Sequence, residues 1–278
     1  MNDELENIRR LLEIEVNRHG YSLQYSVIAL ANALFNRHLS PWRAPVPEFP
    51  VEVQGHATRI DAILKHRDRS LFLVLEIKRA NPALSNWCFL KAPFPNDSLA
   101  STVSAETINL YDPGRFLAKV EPLGARENVY HLAFEVKSSQ KGDTVGGKRG
   151  AIEDAATQVL RGLNGIFEYL STNPQFLKKF GSMTFFPVVV TTAKLFISPV
   201  DLSKSDLQTG EINLANEFLS ETKWLVYNYP QSPGLKHSVP TKPRSDDFRE
   251  AFGVDFLRSI AFVNTSALDD FFGSGLWI

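Results

Sequence analysis

The order of predicted elements, helix–strands–helix–strands, assigns the chain to the α/β class, with an α/β/α core around a mixed central sheet. Two observations carry that reading. Apolar residues recur at helical spacing near the N-terminus and again over 151–170. Between and after them lie short apolar, β-branched runs bounded by turn residues.

At the start, Leu5, Ile8, Leu11, Leu12 and Val16 line one face of a charged helix that Asn2 or Asp3 can cap and Gly20 ends. A second helix is expected over 22–38, with Leu23, Val27, Leu30, Ala31 and Leu34 on its apolar face. Pro41, Pro45, Pro47 and Pro50 predict a connector without regular structure. Residues 58–64 and 71–78 (LFLVLEIK) then read as a hairpin of buried strands across the polar turn at 66–69. Irregular patterning and five prolines make 81–128 an insertion with little regular structure beyond a short helix near 101–110. A strand over 129–137 leads through a glycine-rich polar loop into the helix over 151–170. One or two strands over 183–197, a strand over 223–229, a proline-rich loop over 232–247 and a mixed ending over 255–272 complete the chain. No composition break divides it. The expectation is a single domain, 1–278, with an insertion at 81–128 and a C-terminal extension at 230–278.

Composition excludes several classes. The chain has 278 residues, 44% hydrophobic and 22% charged, which removes disorder, collagen and coiled coil for its bulk. Its 30 Lys and Arg against 31 Asp and Glu leave a net charge of −1, so it is no histone-like cation. Affinity for nucleic acid would have to come from a local basic surface or a metal ion. The single cysteine, Cys88, excludes an intramolecular disulfide framework and a Cys-based zinc site. The histidines lack ligand spacing, no Gly-Lys-Ser/Thr closes the glycine-rich loop, and no Gly-x-Ser-x-Gly elbow occurs. The charged N-terminus lacks the apolar stretch of a signal peptide, and no window is long and apolar enough to span a membrane. A cytoplasmic location with no membrane partner is therefore expected.

The segment that carries chemistry joins Asp61 to Glu76 and Lys78. Asp61 stands alone in an apolar strand. After the turn, Glu76 and Lys78 stand two apart in the next strand, so both project from one face. Asp61 and Glu76 are nearly symmetric about the turn and should lie opposite each other. Charges inside an apolar surface are costly unless they pair or bind an ion. Two carboxylates supply the hard oxygen donors that Mg²⁺ or Mn²⁺ takes, and Lys78 can stabilise developing negative charge. A solvated surface ion pair is the plain alternative. The apolar flank Phe72–Leu75 argues against it.

Asp61 followed by Glu76-Ile77-Lys78, each in an apolar strand, resembles the PD-(D/E)XK nuclease superfamily, the restriction endonuclease-like fold. Arg59-Ile60 stands where a literal Pro would precede the Asp, a departure many members share. The resemblance implies a helix–three strands–helix–strand core and Mg²⁺-dependent hydrolysis of phosphodiester bonds in DNA, with RNA not excluded, by metal-activated water that leaves a 5′-phosphate. It implies Asp61 and Glu76 as metal ligands and Lys78 as the catalytic lysine. An acidic residue on the first core helix, Glu13 or Glu15, would complete the family pattern. Nucleases that cut both strands often dimerise, so a homodimer is a possible state. A catalytically inactive nucleic-acid-binding or assembly module on the same fold is the alternative.

A second copy complicates the assignment. Phe134-Glu135-Val136-Lys137 ends another apolar strand and precedes the helix bearing Gln158. Either Asp61, Glu76 and Lys78 form the site, or Glu76 joins Glu135 and Lys137, with Glu135 as the metal ligand of the motif. A glutamine on the helix after the motif strand also resembles several nuclease subfamilies, so Gln158 is a catalytic candidate with either set. Arg79, Lys141, Lys148, Arg149 and Arg161 are candidates for the nucleic-acid backbone. With Lys91 they predict a basic rim around an acidic pocket. Trp87 and Phe89 could stack on bases, but core packing is the preferred reading.

Overall fold

The computed structural model describes residues 2–18, 20–93, 100–112, 115–136, 150–212, 219–232, 234–243, 247 and 255–274. Helices α1 (Asn2–Arg18) and α2 (Tyr21–Asn36) flank Gly20, whose φ of 75° suits a residue without Cβ. Strands β1 (Trp42–Val53), β2 (His56–His66) and β3 (Leu71–Lys78) follow. Next come β4 (Asn86–Leu90), β5 (Thr102–Asp112), β6 (Arg115–Ala125), β7 (Val129–Tyr130) and β8 (Leu132–Val136). The long helix α3 (Ala151–Thr172) and short α4 (Gln175–Phe180) lead into β9 (Ser182–Thr191) and β10 (Lys194–Ser198). Strands β11 (Ser220–Thr222), β12 (Trp224–Pro230), β13 (Thr241–Lys242) and β14 (Leu257–Asn264) and helix α5 (Leu268–Ser274) end the described chain.

The large mixed sheet has ten strands and runs β1-β2-β3-β9-β14-β12-β7, with β5 on β9, β6 on β5 and β13 on β6. A second sheet has the order β11-β10-β4-β8. The α/β class with a mixed sheet is thus as predicted. β3 and β9 are parallel, which requires a crossover, and α3 lies between them in the chain.

Two cores sandwich the large sheet. On one face α2 and α5 bury Val27, Ala31, Leu34 and Phe272 against Leu73, Leu75, Val188 and Val190. On the other, α3 buries Leu160, Leu163 and Phe167 against Val74, Phe185 and Val189. The second sheet joins this latter core through Trp87 and Phe89, which pack edge-on or tilted against Phe262. Alternate residues of β3 serve alternate cores, as a strand buried on both faces must.

Prolines explain the main departures from expectation. The segment 41–50 is mostly strand, not connector. β1 pairs only with β2, and an edge strand tolerates the N–H groups that Pro45, Pro47 and Pro50 lack. The β1–β2 turn consists of Gln54 (φ 50°) and Gly55 (φ 79°), both left-handed as a tight primed hairpin requires. Pro187 lies in a central strand, yet it falls between two ladders: β5 ends its pairing with β9 at Phe185, and β14 begins at Val188. The insertion 81–128 is largely strand. The helix expected near 101–110 is β5, whose Val103 and Ala105 are buried at strand spacing and whose outer half pairs with β9. The strand expected over 129–137 divides, β7 joining the large sheet and β8 the small one.

Candidate functional site

The β2–β3 hairpin positions the acidic pair. Its ladder runs from Lys65↔Phe72 to Ala62↔Leu75, so the next step sets Asp61 opposite Glu76. At that step the side chain takes over from the backbone: the Ile77 amide donates to Asp61 Oδ2 at 2.7 Å. Gln24, buried on α2, donates to the Asp61 carbonyl at 3.0 Å. Asp61 also marks a twist in the strand. Ile60 packs into the α3-side core and Ala62 into the α2-side core, although an unbroken pleat keeps residues two apart on one face. Opposite Asp61 in the β1 register lies Glu48, with φ 49°, a positive φ rare outside glycine.

Glu76 is only 6% exposed, and its Oε1 is 2.7 Å from Lys78 Nζ on the same strand face. Burial first and the negative charge of Asp61 second, against the opposing pull of Lys78, raise the Glu76 carboxyl to about 7. Burial likewise raises Asp61, offset by the Ile77 amide and Lys78. One lysine therefore does not neutralise this pair. Both carboxyls are buried beside one lysine, and their charge is costly there unless a proton or a cation neutralises it. Among the described residues, no cluster of three or more His, Cys, Asp or Glu groups could hold a metal.

The second Glu-x-Lys strand lies elsewhere. β8 belongs to the small sheet, where Glu135 pairs in register with Trp87. The Glu135 carboxylate accepts the Ile152 amide at 3.0 Å, capping the N-terminus of α3 where a carboxylate favours the helix dipole. Gly150 makes room for it, since a Cβ there would collide with Glu135 Oε1. The structure thus brings Asp61, Glu76 and Lys78 together and does not bring Glu135 to them. This corrects the assignment of Glu135 as a metal ligand beside Glu76. Lys137, Lys141, Lys148 and Arg149 lie outside the described residues.

Gln158 is exposed on α3, one helical turn before Gly162, which packs so closely on Ile60 that a Cβ would come within 2.8 Å of Ile60 Cγ1. Gln158 is therefore on the helix row that passes the strand just before Asp61, but among the described residues it makes no hydrogen bond to Asp61 or Glu76. Arg161 is half-buried on the same helix. Arg79 donates to the Asn17 carbonyl at 2.9 Å, and Lys91 lies over the Tyr130 ring at 6.0 Å; both are exposed. Trp87 and Phe89 are fully buried, which settles them as core residues. Glu13 and Glu15 are exposed on α1. The helix residue that reaches Asp61 is instead Gln24, and its signal was legible: a polar residue on the buried stripe with Val27, Ile28 and Ala31. Glu48 had no such signal, because its segment reads as a proline connector.

A groove of about 930 Å³ lies between the β1–β2 hairpin and α3, lined by Glu52, Arg59, Glu168 and Tyr169 among others, and it excludes the acidic pair. No described helix is long and apolar enough to cross a membrane. Compared with protein-family models, with curated proteins and with solved structures, the chain finds no match.

Proposed function

We propose that the chain is a divalent-metal-dependent nuclease, with a restriction endonuclease-like core, that hydrolyses phosphodiester bonds in DNA. One observation carries the reading: a buried Glu76 ion-paired to Lys78 across from Asp61 on the adjacent strand, with negative charge left over. The order α2, β1–β3, α3, β9, with β9 parallel to β3, supports it as the helix–three strands–helix–strand arrangement that the resemblance implies.

In this reading Asp61 and Glu76 hold Mg²⁺ or Mn²⁺. The bound cation supplies Lewis-acid stabilisation of a phosphoryl oxygen and lowers the pKa of water. Lys78, ion-paired to Glu76, would stabilise charge developing on the phosphate. The Ile77 amide and Gln24 hold the Asp61 carboxylate and backbone in place. Gln158, exposed on α3 one turn before Gly162, is the candidate of that helix for contact with substrate.

The test is cleavage of supercoiled plasmid, single-stranded DNA and RNA with Mg²⁺, with Mn²⁺ and with chelator. Cleavage that needs the metal and is lost in Glu76→Ala and Lys78→Ala, both shown to fold by circular dichroism, supports the reading. Activity that survives Glu76→Ala overturns it. A second reading, a non-catalytic nucleic-acid-binding or assembly module, is favoured by the lack of a third acidic ligand among the described residues. DNA binding without carboxylate-dependent Mn²⁺ uptake by calorimetry would select that one.

A further inference from the structure

A second buried ion pair lies away from Asp61 and Glu76, and its hydrogen bonding is incomplete. Arg258 of β14 and Glu106 of β5 have side chains 9% and 7% exposed, with Arg258 Nε 3.3 Å from Glu106 Oε1. The contact falls short of a hydrogen bond, since Arg258 Nε is buried without a hydrogen-bond partner. Among the described residues Glu106 accepts no hydrogen bond either. A buried ion pair offsets its desolvation only when further hydrogen bonds satisfy the remaining lone pairs and protons. The backbone holds both groups in place. Glu106 is in register with Val120 of β6 and Phe185 of β9, and Arg258 Nη1 donates to the carbonyls of Asp255 at 2.5 Å and Leu257 at 3.1 Å.

The pair sits where the large sheet forks. β5 pairs with β9 as far as Phe185 and β14 from Val188, with Pro187 between them. Across the fork the Ser104 amide of β5 donates to Ser259 Oγ of β14 at 2.9 Å. Beside it is a cavity of about 160 Å³, lined by Glu106, Arg258, Asn164 of α3 and Gln231 among others. Asn164 Nδ2 donates to the Leu235 carbonyl at 2.8 Å, and Gln231 Nε2 donates to the same oxygen, which leaves both amide oxygens to accept. Asp255 and the exposed Lys236 and Lys242 also line the cavity, so its walls carry both signs. An anion alone would face Glu106, and a cation alone would face Arg258. A ligand with a carboxylate and an ammonium meets both through charge-assisted hydrogen bonds. The volume equals about five waters at ~30 Å³ each, which admits a small free amino acid and excludes a peptide chain.

We propose that the cavity between β5 and β14 binds a free α-amino acid, its carboxylate toward Arg258 and its ammonium toward Glu106, bridging two charges that do not hydrogen-bond each other. The Asn164 and Gln231 oxygens supplement Glu106 as acceptors for the ammonium. The cavity shares no lining residue with Asp61, Glu76 and Lys78, so the proposal stands independently of the metal reading.

Calorimetric titration of the full chain with L-alanine, L-serine and L-glutamine tests it, beside propionate and ethylammonium, which carry one of the two charges each. At least one amino acid should bind with a dissociation constant of about 1 mM or below, and both half-ligands at least about tenfold more weakly. Glu106→Gln and Arg258→Gln, each checked for folding by circular dichroism, should weaken that binding by more than about tenfold. The half-ligand comparison needs no variant, so it decides the matter if either variant fails to fold. No binding of any of the three amino acids, which leaves the cavity to water, overturns the proposal. Propionate or ethylammonium binding as tightly as the best amino acid overturns it too, as does unchanged binding in a folded Glu106→Gln.

Discussion

Strands β3 and β8 each carry the glutamate of a Glu-x-Lys sequence, and the two glutamates have opposite fates. On β3, Glu76 is central in a ten-stranded sheet, 6% exposed, beside a second carboxylate, and its proton is held to about pH 7. On β8, Glu135 is at the edge of a four-stranded sheet and accepts a helix amide. The residue types are the same. What differs is whether the backbone already meets the charge with a partner. A capped carboxylate is satisfied; two carboxylates sharing one lysine are not. Only the second arrangement leaves two carboxyls raised above their usual range.

The comparison can be broken at several points. Glu76→Ala should lower metal-dependent cleavage by about 10³-fold or more, whereas Glu135→Ala should leave the turnover of folded protein within about twofold. Equal losses in the two variants would erase the distinction.

The next largest effect is on stability against pH. Glu76 is raised from 4.5 to about 7, so between these values the folded state binds a proton that the unfolded state has lost. That contribution is fully present below pH 4.5 and disappears as pH rises through 7, costing on the order of 3 kcal/mol without metal. Urea denaturation at pH 5 and pH 8 should show the fall for wild type and Glu135→Gln, and little of it for Glu76→Gln. Adding Mg²⁺ at pH 8 should recover stability in wild type only.

Gly162→Ala tests the contact between α3 and the strand leading into Asp61. The added Cβ approaches Ile60 Cγ1 to 2.8 Å, so the variant should lose about 1–3 kcal/mol and bind Mn²⁺ more weakly. A denaturation curve with calorimetry reads both. Weaker binding without instability would point to a local tilt of the helix.

The smallest effect belongs to the second motif. Glu135→Ala should cost about 1 kcal/mol as a lost helix cap, and Gly150→Ala a similar amount by displacing that cap. The double variant should cost less than the sum, because both changes damage one interaction.

Much was readable from residue order. Helical spacing over 151–170 marked α3, and the symmetric placement of Asp61 and Glu76 about a polar turn anticipated their opposition in the β2–β3 register. Reading failed where pairing overrode local preference. The prolines of β1 read as breakers because the chain does not declare which strand is an edge. Residues 101–110 look weakly helical in isolation, but β5 is held on one side by its hairpin partner β6 and over 106–109 by β9, some 80 positions away by the register Thr107↔Thr184.

By itself, then, the sequence determined the α/β class, the hairpin and the pair of carboxylates on it, because spacing within a short segment is a local property of the chain. The tertiary structure alone decided which Glu-x-Lys strand carries unmet charge, that Gln24 and Glu48 join Asp61, and that Glu135 caps a helix. Those outcomes depend on burial and on partners distant in sequence, and a charge is costly or satisfied only according to what surrounds it.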